Sequence, residues 1–104
     1  MPVTRISLIA VPDPAKQDEA VSLFSDFINT CKKDGKPYLV ASKASKCEVL
    51  IDKPGSQKWT VATEVTFANQ ADADYYQNED PVYLAMLGRG GGESEGFIAV
   101  KADF

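Results

Sequence analysis

Three side chains of this sequence could take part in chemistry without a cofactor. Arg5 lies in an apolar, β-branched run near the start of the chain, and Tyr76 and Tyr83 flank the Asp80–Pro81 step. A guanidinium stays charged at physiological pH and can hold an anionic oxygen. A phenol can bind or protonate an oxygen of a small aromatic or ketide ligand. We therefore predict a catalytic set of Arg5, Tyr76 and Tyr83.

Each of these residues also has a purely structural interpretation. An arginine on a covered strand face needs a carboxylate partner or an anionic ligand, and Glu64 or Asp103 could be that partner. Tyrosines on a helical cover more often belong to the core, with the hydroxyl group hydrogen-bonded. The sequence leaves both interpretations open for all three residues.

Five further residues are predicted to contribute to ligand binding, namely Ser7, Phe24, Tyr38, Val61 and Glu64. Phe24 would line the apolar part of a pocket or simply fill the core, and Tyr38 has the same two interpretations. Alternation places Glu64 on the strand face opposite Val61, toward a second subunit. Its carboxyl group there is either an acid or base with a raised pKa or half of an inter-subunit ion pair.

The sequence contains no histidine. An imidazole base, a Ser-His or Cys-His nucleophile pair and histidine-ligated zinc are therefore excluded. Cys31 and Cys47 are too few for a zinc site, and in a chain without an export signal they are expected to stay reduced. We expect neither a metal ion nor a cofactor.

Size and charge restrict the partners. The 104 residues are expected to form one domain, 1–104, and the formal charge of −4 disfavours nucleic acid. No apolar run approaches the roughly 20 residues that cross a bilayer, and no signal peptide is recognised, so a cytoplasmic location without membrane contact is expected. A domain of this size is only marginally stabilised by its own core, which favours association with a second copy.

Hydrophobic periodicity predicts four strands and two helical regions. The strands are expected at 3–11, 37–46, 59–67 and 97–104, and the helices at 15–33 and from 70 to 87. Asp13–Pro14 and Asp80–Pro81 each join a capping carboxylate to a proline suited to the first helical turn. Asn69 is a further cap, and Pro81 divides the second helical region into two pieces.

Two segments are harder to assign. Residues 48–52 could extend the second strand before a turn at 53–56. The glycine-rich segment 88–96 could be a phosphate cradle, but it lacks G-x-x-x-x-G-K-[ST] and leads into a strand rather than a helix. A flexible connector is the better prediction for 88–96.

The order β-α-β-β-α-β predicts a ferredoxin-like α+β fold, a four-stranded antiparallel sheet with helices on one face. Alternation places Ile6 and Leu8 on one face of the first strand and Arg5, Ser7 and Ile9 on the other. Since both faces are largely apolar, both need a cover. A second copy is the simplest cover for the face without helices, which predicts a homodimer through the sheet.

Three stretches carry a family resemblance: VTRISL, DGKPYLV and TEVTFANQADADYYQNEDP. In this order they resemble the stress-responsive A/B barrel family of dimeric α+β barrels, and in particular its small fungal members. The resemblance covers nearly the whole chain and implies stress-associated oligomers, many without an assigned activity. Antibiotic-biosynthesis monooxygenase and EthD-like proteins are related in fold, and the strand pattern alone does not exclude them.

The resemblance also implies a polyketide connection, because some plant members are polyketide cyclases. Those enzymes carry one histidine after the proline of the second helical segment and another on the first strand. This sequence has Tyr83 and Arg5 at those positions, so it lacks the cyclase's base.

Two functions follow as hypotheses. The first is a homodimer that binds a small apolar or phenolic molecule, or that has a structural or stress role without classical catalysis. The second is a cofactor-independent cyclase, lyase or oxygenase that uses Arg5 and Tyr76 or Tyr83. A space filled by side chains between sheet and helices would favour the first, whereas a cavity lined by Arg5 and the tyrosines would favour the second.

Overall fold

The computed structural model describes residues 2–51, 53, 57–90 and 95–103. In chain order the elements are β1 (Val3–Ala10), α1 (Pro14–Thr30), β2 (Lys32–Lys33), β3 (Lys36–Pro37), β4 (Leu39–Lys46), β5 (Val61–Phe67), α2 (Gln70–Asn78), α3 (Pro81–Gly90) and β6 (Gly96–Ala102). Strands β4, β5, β1 and β6 form an antiparallel sheet in that order, and β2 and β3 form a separate small hairpin. The predicted ferredoxin-like α+β fold is confirmed.

The central strand β1 has the two faces that alternation predicts. Val3, Ser7 and Ile9 are buried against the helices, and Val3 and Ile9 lie opposite the buried residues Phe67 and Val61 of β5. We call this side of the sheet the inner face. The period-two pattern is sufficient to group the β1 side chains by face because successive strand side chains point to opposite sides, but only the structure shows which group faces the helices.

Helix α1 begins where its capping residues predict. The Asp13 carboxylate accepts a hydrogen bond from the Ala15 backbone N–H at 2.9 Å, and Pro14 is the first helical residue. Phe24 and Phe27 of α1 are buried, and their ring centroids are 4.9 Å apart. Their burial contributes a large part of the core, since each aromatic side chain removes an extensive apolar surface from water.

The end of α1 was predicted incorrectly from the pattern, which carries the helix to residue 33 and makes Gly35 its stop. The helix ends at Thr30, since Cys31 is extended with φ −78° and ψ 126°, and Asp34 and Gly35 then adopt positive φ angles, 55° and 77°. An Asp-Gly pair with positive φ at both positions is typical of a two-residue hairpin turn. Lys33 therefore pairs with Lys36 in a short hairpin rather than continuing the helix.

The second helical region is divided at the predicted proline. Asn69 caps α2 by accepting from the Asp72 backbone N–H at 2.9 Å, and Asp80 accepts from the Val82 N–H at 2.9 Å at the start of α3. Both caps satisfy N–H groups that have no partner within their helix. The break at Pro81 is confirmed, and α3 continues three residues past the predicted end at residue 87.

Strand boundaries differ from prediction by one or two residues. Strand β5 begins at Val61, β4 begins at Leu39 and β6 ends at Ala102. Residues 47–51 form no strand, so β4 is not extended there. The predicted connector at 88–96 overlaps the last turn of α3, and its residues 91–94 lie outside the described residues. The same holds for Phe104 and most of the 53–56 turn.

The face of the sheet away from the helices carries an apolar stripe. Ile6 and Leu8 of β1 lie beside Val100 and Ile98 of β6 in the strand register. Val100 is 54% exposed and Ile98 is 47% exposed. We call these four residues the outer stripe. A contiguous exposed apolar patch of this kind is typical of a surface that binds a partner.

Among the described residues, no helix is both long and apolar enough to cross a membrane. Within the same part of the chain, no group of three histidine, cysteine, aspartate or glutamate side chains is placed to hold a metal ion. Cys31 and Cys47 are free thiols.

Candidate functional site

Arg5 is on the inner face of the sheet, where it meets both helices of the second helical region. Its guanidinium donates hydrogen bonds to the Gln77 side-chain carbonyl oxygen on α2 and to the Tyr83 hydroxyl on α3. It also lies 5.3 Å from the ring centroid of Tyr76 and 4.9 Å from that of Tyr83. Cation–π attraction and hydrogen bonds together fix the position of Arg5.

Both acceptors of Arg5 are neutral. Among the described residues, no carboxylate lies within ion-pair distance of its guanidinium, so the predicted partners Glu64 and Asp103 do not pair with it. Glu64 is instead on the other face of the sheet. A partly buried cation without a counter-ion is costly unless a ligand compensates its charge.

Tyr76 and Tyr83 form a stacked pair beneath Arg5. Their ring centroids are 4.2 Å apart with an interplanar angle of 29°, and they are 0% and 1% exposed. Burial raises the pKa of both phenols above the ordinary value, while the nearby Arg5 guanidinium opposes part of that rise. Both therefore remain protonated at physiological pH. The Tyr76 hydroxyl is buried without a hydrogen-bond partner among the described residues.

A cavity of about 220 Å³ opens beside this cluster, and we call it the Arg5 cavity. It lies between one side of α2 and the inner face of the sheet. Its lining residues are Arg5, Phe67, Gln70, Ala73, Asp74, Gln77 and Lys101. The two buried tyrosines are not among them, so the space beneath α2 and α3 is filled by aromatic rings and the cavity begins only at the guanidinium.

A chain of hydrogen bonds crosses the wall of the Arg5 cavity. Lys101 Nζ donates to Gln70 Oε1 at 3.0 Å, and Gln70 Nε2 donates to Asp74 Oδ1 at 2.7 Å. The amide thus links one positive and one negative side chain. Arg5 and Lys101 both donate to neutral oxygens, so the described cavity wall carries two cations against the single carboxylate of Asp74.

Sequence reasoning missed the α2 side of this cavity. Gln70, Ala73, Asp74 and Gln77 follow one another at spacings of three, one and three, which places them on one side of a helix. That polar face with one small residue was the available signal. It does not reveal a site until the sheet places Arg5 opposite it.

A second polar cluster is centred on a buried carboxylate rather than on a cavity. Asp80 is 0% exposed, accepts from the Tyr38 hydroxyl at 2.5 Å and caps α3. Burial and the Asp80 carboxylate raise the pKa of the Cys31 thiol to about 12, and burial together with the hydrogen bond to Asp80 also raises that of Tyr38. We call Cys31, Tyr38 and Asp80 the Asp80 cluster.

The structure distributes the predicted ligand-binding residues over separate parts of the molecule. Ser7 and Val61 are buried on the inner face, and Phe24 is packed in the core. Tyr38 belongs to the Asp80 cluster. None of these four lines the Arg5 cavity.

Glu64 lies on the opposite side of the sheet from the predicted catalytic residues Arg5, Tyr76 and Tyr83. It is exposed on the outer face, opposite Ile6 of β1 and Lys43 of β4 in the register. This is the side on which the sequence placed it. Its position beside the outer stripe is compatible with an ion pair at a subunit interface.

Solved structures share this fold. A dimeric protein of unknown function with a ferredoxin-like fold from Bacteroides fragilis is similar with a TM-score of 0.64 and 20% identity, covering 99% of this chain and 96% of that one. Hydroxynitrile lyase from Passiflora edulis is similar with a TM-score of 0.71 and 17% identity, covering 97% and 91%. A dabb family protein with a ferredoxin-like fold from Mesorhizobium loti has a TM-score of 0.67 and 12% identity, covering 99% and 96%.

These likenesses establish a fold that is found in dimeric proteins, in an enzyme and in a dabb family protein. The sequence matches no protein-family model and no curated protein. At such identities the likeness concerns the fold alone, so the resemblance to the stress-responsive A/B barrel family is supported only distantly. Its restriction to small fungal members has no support in these structures.

Proposed function

We propose that this protein is a homodimeric α+β barrel, of the stress-responsive A/B barrel type, that binds a small apolar or phenolic molecule in the Arg5 cavity. The observation that carries the proposal is the Arg5 guanidinium, which is held by neutral acceptors in the wall of a cavity of about 220 Å³. A site that supplies a fixed cation beside apolar surface suits a small ring with an oxygen substituent.

The dimer in this proposal uses the outer stripe. Half-exposed Ile98 and Val100 continue the apolar surface of Ile6 and Leu8, and several of the similar solved structures are described as dimeric. Covering the stripe with a second copy would remove apolar area from water on both subunits. Glu64, at the border of the stripe, would then lie close to the partner.

The hypothesis of a cofactor-independent enzyme is less well supported than binding. It requires Tyr76 or Tyr83 to give a proton to a bound molecule, but both phenols are buried and neither lines the Arg5 cavity. A proton donor must come within hydrogen-bond reach of the atom that it protonates. The Tyr83 hydroxyl accepts a hydrogen bond from the Arg5 guanidinium, which lies between this hydroxyl and the cavity. This arrangement suits a role for Tyr83 in positioning Arg5 better than a role as an acid catalyst.

Native mass spectrometry of the purified full chain tests both parts of the proposal. We expect a dimer that carries excess mass from a retained small molecule, and we expect Arg5→Gln to lose that mass while it remains dimeric. Lys46→Gln is the control, since it removes an equal charge from a surface pair with Asp18, far along the sheet. Equal retention by wild type and Arg5→Gln contradicts the binding site. So does a dimer without excess mass that also fails to bind any of a panel of small phenols and carboxylates.

The interface is tested separately by Val100→Lys. A lysine in the middle of the stripe should convert the dimer to a monomer without unfolding it, because the position is already 54% exposed in the single chain. Leu84→Lys, at a 40% exposed position on α3, is the matched control and should leave the dimer intact. Sedimentation velocity distinguishes these outcomes, and a dimeric Val100→Lys protein would exclude the stripe as the interface.

A further inference from the structure

We infer that the ligand of the Arg5 cavity is a small monoanion, a carboxylate or phenolate on a single ring, selected by the charge balance of the cavity wall. This inference rests on the proposed binding function and adds the charge and size of the ligand. It follows from three features of the described structure: the ionisable groups of the wall, the hydrogen-bond acceptors of Arg5 and the cavity volume.

The ionisable side chains that line the cavity are Arg5, Lys101 and Asp74, two cations and one anion. Lys101 and Asp74 are connected through the Gln70 amide, with donor–acceptor distances of 3.0 and 2.7 Å. The charges of these three side chains sum to +1. One negative charge on a ligand balances that sum, whereas a second would make the occupied cavity net negative and would face Asp74.

The acceptors of Arg5 leave room for that anion. The guanidinium has five N–H donors, and it gives hydrogen bonds to only two described side chains, Gln77 and Tyr83. Both accept through neutral oxygens. An ionised carboxylate or phenolate forms a stronger bond to guanidinium than a neutral oxygen does, so an anionic ligand gains most at this position.

The volume suits a ligand with one ring. An apolar cavity of about 150 Å³ is enough to hold benzene, and drug-sized ligands occupy about 300–1,000 Å³. At about 220 Å³ the Arg5 cavity accommodates a benzene ring and one carboxylate. Phe67 and Ala73 supply the apolar part of the lining.

Three small molecules with the same benzene ring test the inference: benzoate, its neutral analogue benzamide, and the dianion phthalate. Dissociation constants for the dimeric full chain are measured by titration calorimetry, with the binding site located by amide shifts of Ala73 and Gln77. Benzoate should bind at least about tenfold more tightly than benzamide, since an ionised oxygen accepts a much stronger hydrogen bond from guanidinium than a neutral amide oxygen does. Phthalate should bind more weakly than benzoate.

Two variants test the charge balance. Arg5→Gln should abolish the preference for benzoate over benzamide. Asp74→Asn raises the wall charge by one, so it should improve phthalate binding relative to benzoate by about fivefold. Asp26→Asn, which removes an exposed carboxylate from α1, is the control and should leave the preference unchanged.

The outcomes separate this inference from the proposed function. Benzamide binding as tightly as benzoate, with shifts at Ala73 and Gln77, would overturn the monoanion inference and leave the cavity as a binding site. An Asp74→Asn protein with unchanged selectivity would overturn the role of the charge balance. If none of the three probes shifts those amides, the inference and the proposed binding site fail together.

Discussion

The Arg5 cavity and the Asp80 cluster each join a charged side chain to a tyrosine hydroxyl, yet they differ in exposure and in compensation. Asp80 is 0% exposed and accepts from Tyr38 and from the backbone N–H groups at the start of α3. Arg5 donates to neutral oxygens and borders an open cavity. The comparison separates a charge that stabilises the fold from a charge that remains available to a ligand.

The largest expected effect comes from Asp80→Ala. The change removes the cap of α3 and leaves the buried Tyr38 hydroxyl without its acceptor, so the free energy of unfolding should fall by about 3 kcal/mol. Urea denaturation measures this loss. Glu79→Ala, at the exposed preceding residue, is the control and should change stability by less than about 0.5 kcal/mol. A small effect of Asp80→Ala would break the comparison, because Asp80 would then not be structural.

A pH dependence should also come from the Asp80 cluster. The Cys31 pKa is raised from 9.0 to about 12 in the folded chain, so its contribution to stability is complete below pH 9 and is lost as pH rises toward 12. At about pH 10.5 the loss should be about 2 kcal/mol.

Denaturation of wild type and Cys31→Ala at pH 8 and pH 10.5 isolates this contribution, since the tyrosines titrate in both proteins. The difference in stability between the two proteins should shrink by that amount at the higher pH. Cys47→Ala, at the partly exposed thiol, should show a smaller change. A pH-independent difference for Cys31→Ala would show that burial and the Asp80 carboxylate do not raise the pKa of its thiol.

Tyr38→Phe should have a smaller effect than either. It deletes one hydrogen bond to a buried carboxylate while the two backbone donors to Asp80 remain, which should cost about 1.5 kcal/mol. Tyr75→Phe, which loses only a 3.2 Å bond to the Lys32 carbonyl oxygen, should cost less than half of that. Equal losses of stability for Tyr38→Phe and Tyr75→Phe, measured by thermal or urea denaturation, would contradict a larger contribution from the hydrogen bond to Asp80.

The smallest effect on stability is expected from substitution of Arg5. Arg5→Met removes a cation that has no counter-ion among the described residues and keeps an apolar stem of similar length. The free energy of unfolding should change by less than about 1 kcal/mol, in either direction. A loss of more than about 2 kcal/mol would show that Arg5 is a structural residue like Asp80. Lys46→Met, which breaks an exposed ion pair, sets the scale for a surface change.

Local rules predicted the residues that position the site but not the site itself. Period-two alternation grouped Arg5 with Val3, Ser7 and Ile9 without showing which face the helices cover, and the Asp80–Pro81 signal started α3 so that Tyr83 points to the core. The hairpin at Asp34–Gly35 was missed because an Asp-Gly pair also reads as a helix stop. The same two residue types satisfy both roles, and only strand pairing distinguishes them.

The Arg5 cavity was predicted only at its arginine. Gln77 and Lys101 join it from α2 and β6, elements that are far from β1 in sequence. Cys31 and Tyr38 meet Asp80 in the same way, and the sequence indicated Asp80 only as a helix cap. In each of these groups the contacting side chains come from elements that are distant in sequence, so no residue spacing along the chain predicts the contact.

The sequence alone determined the order of the four main strands and the helical regions, the grouping of β1 side chains by face, and the caps at Asp13, Asn69 and Asp80. They depend on neighbours within a few residues, where sterics and local hydrogen bonds decide. Tertiary structure alone decided that Arg5 meets neutral acceptors beside a cavity whereas Asp80 is buried with three hydrogen-bond donors. Packing of distant elements sets which partner each charge finds, and therefore which charge remains free for a ligand.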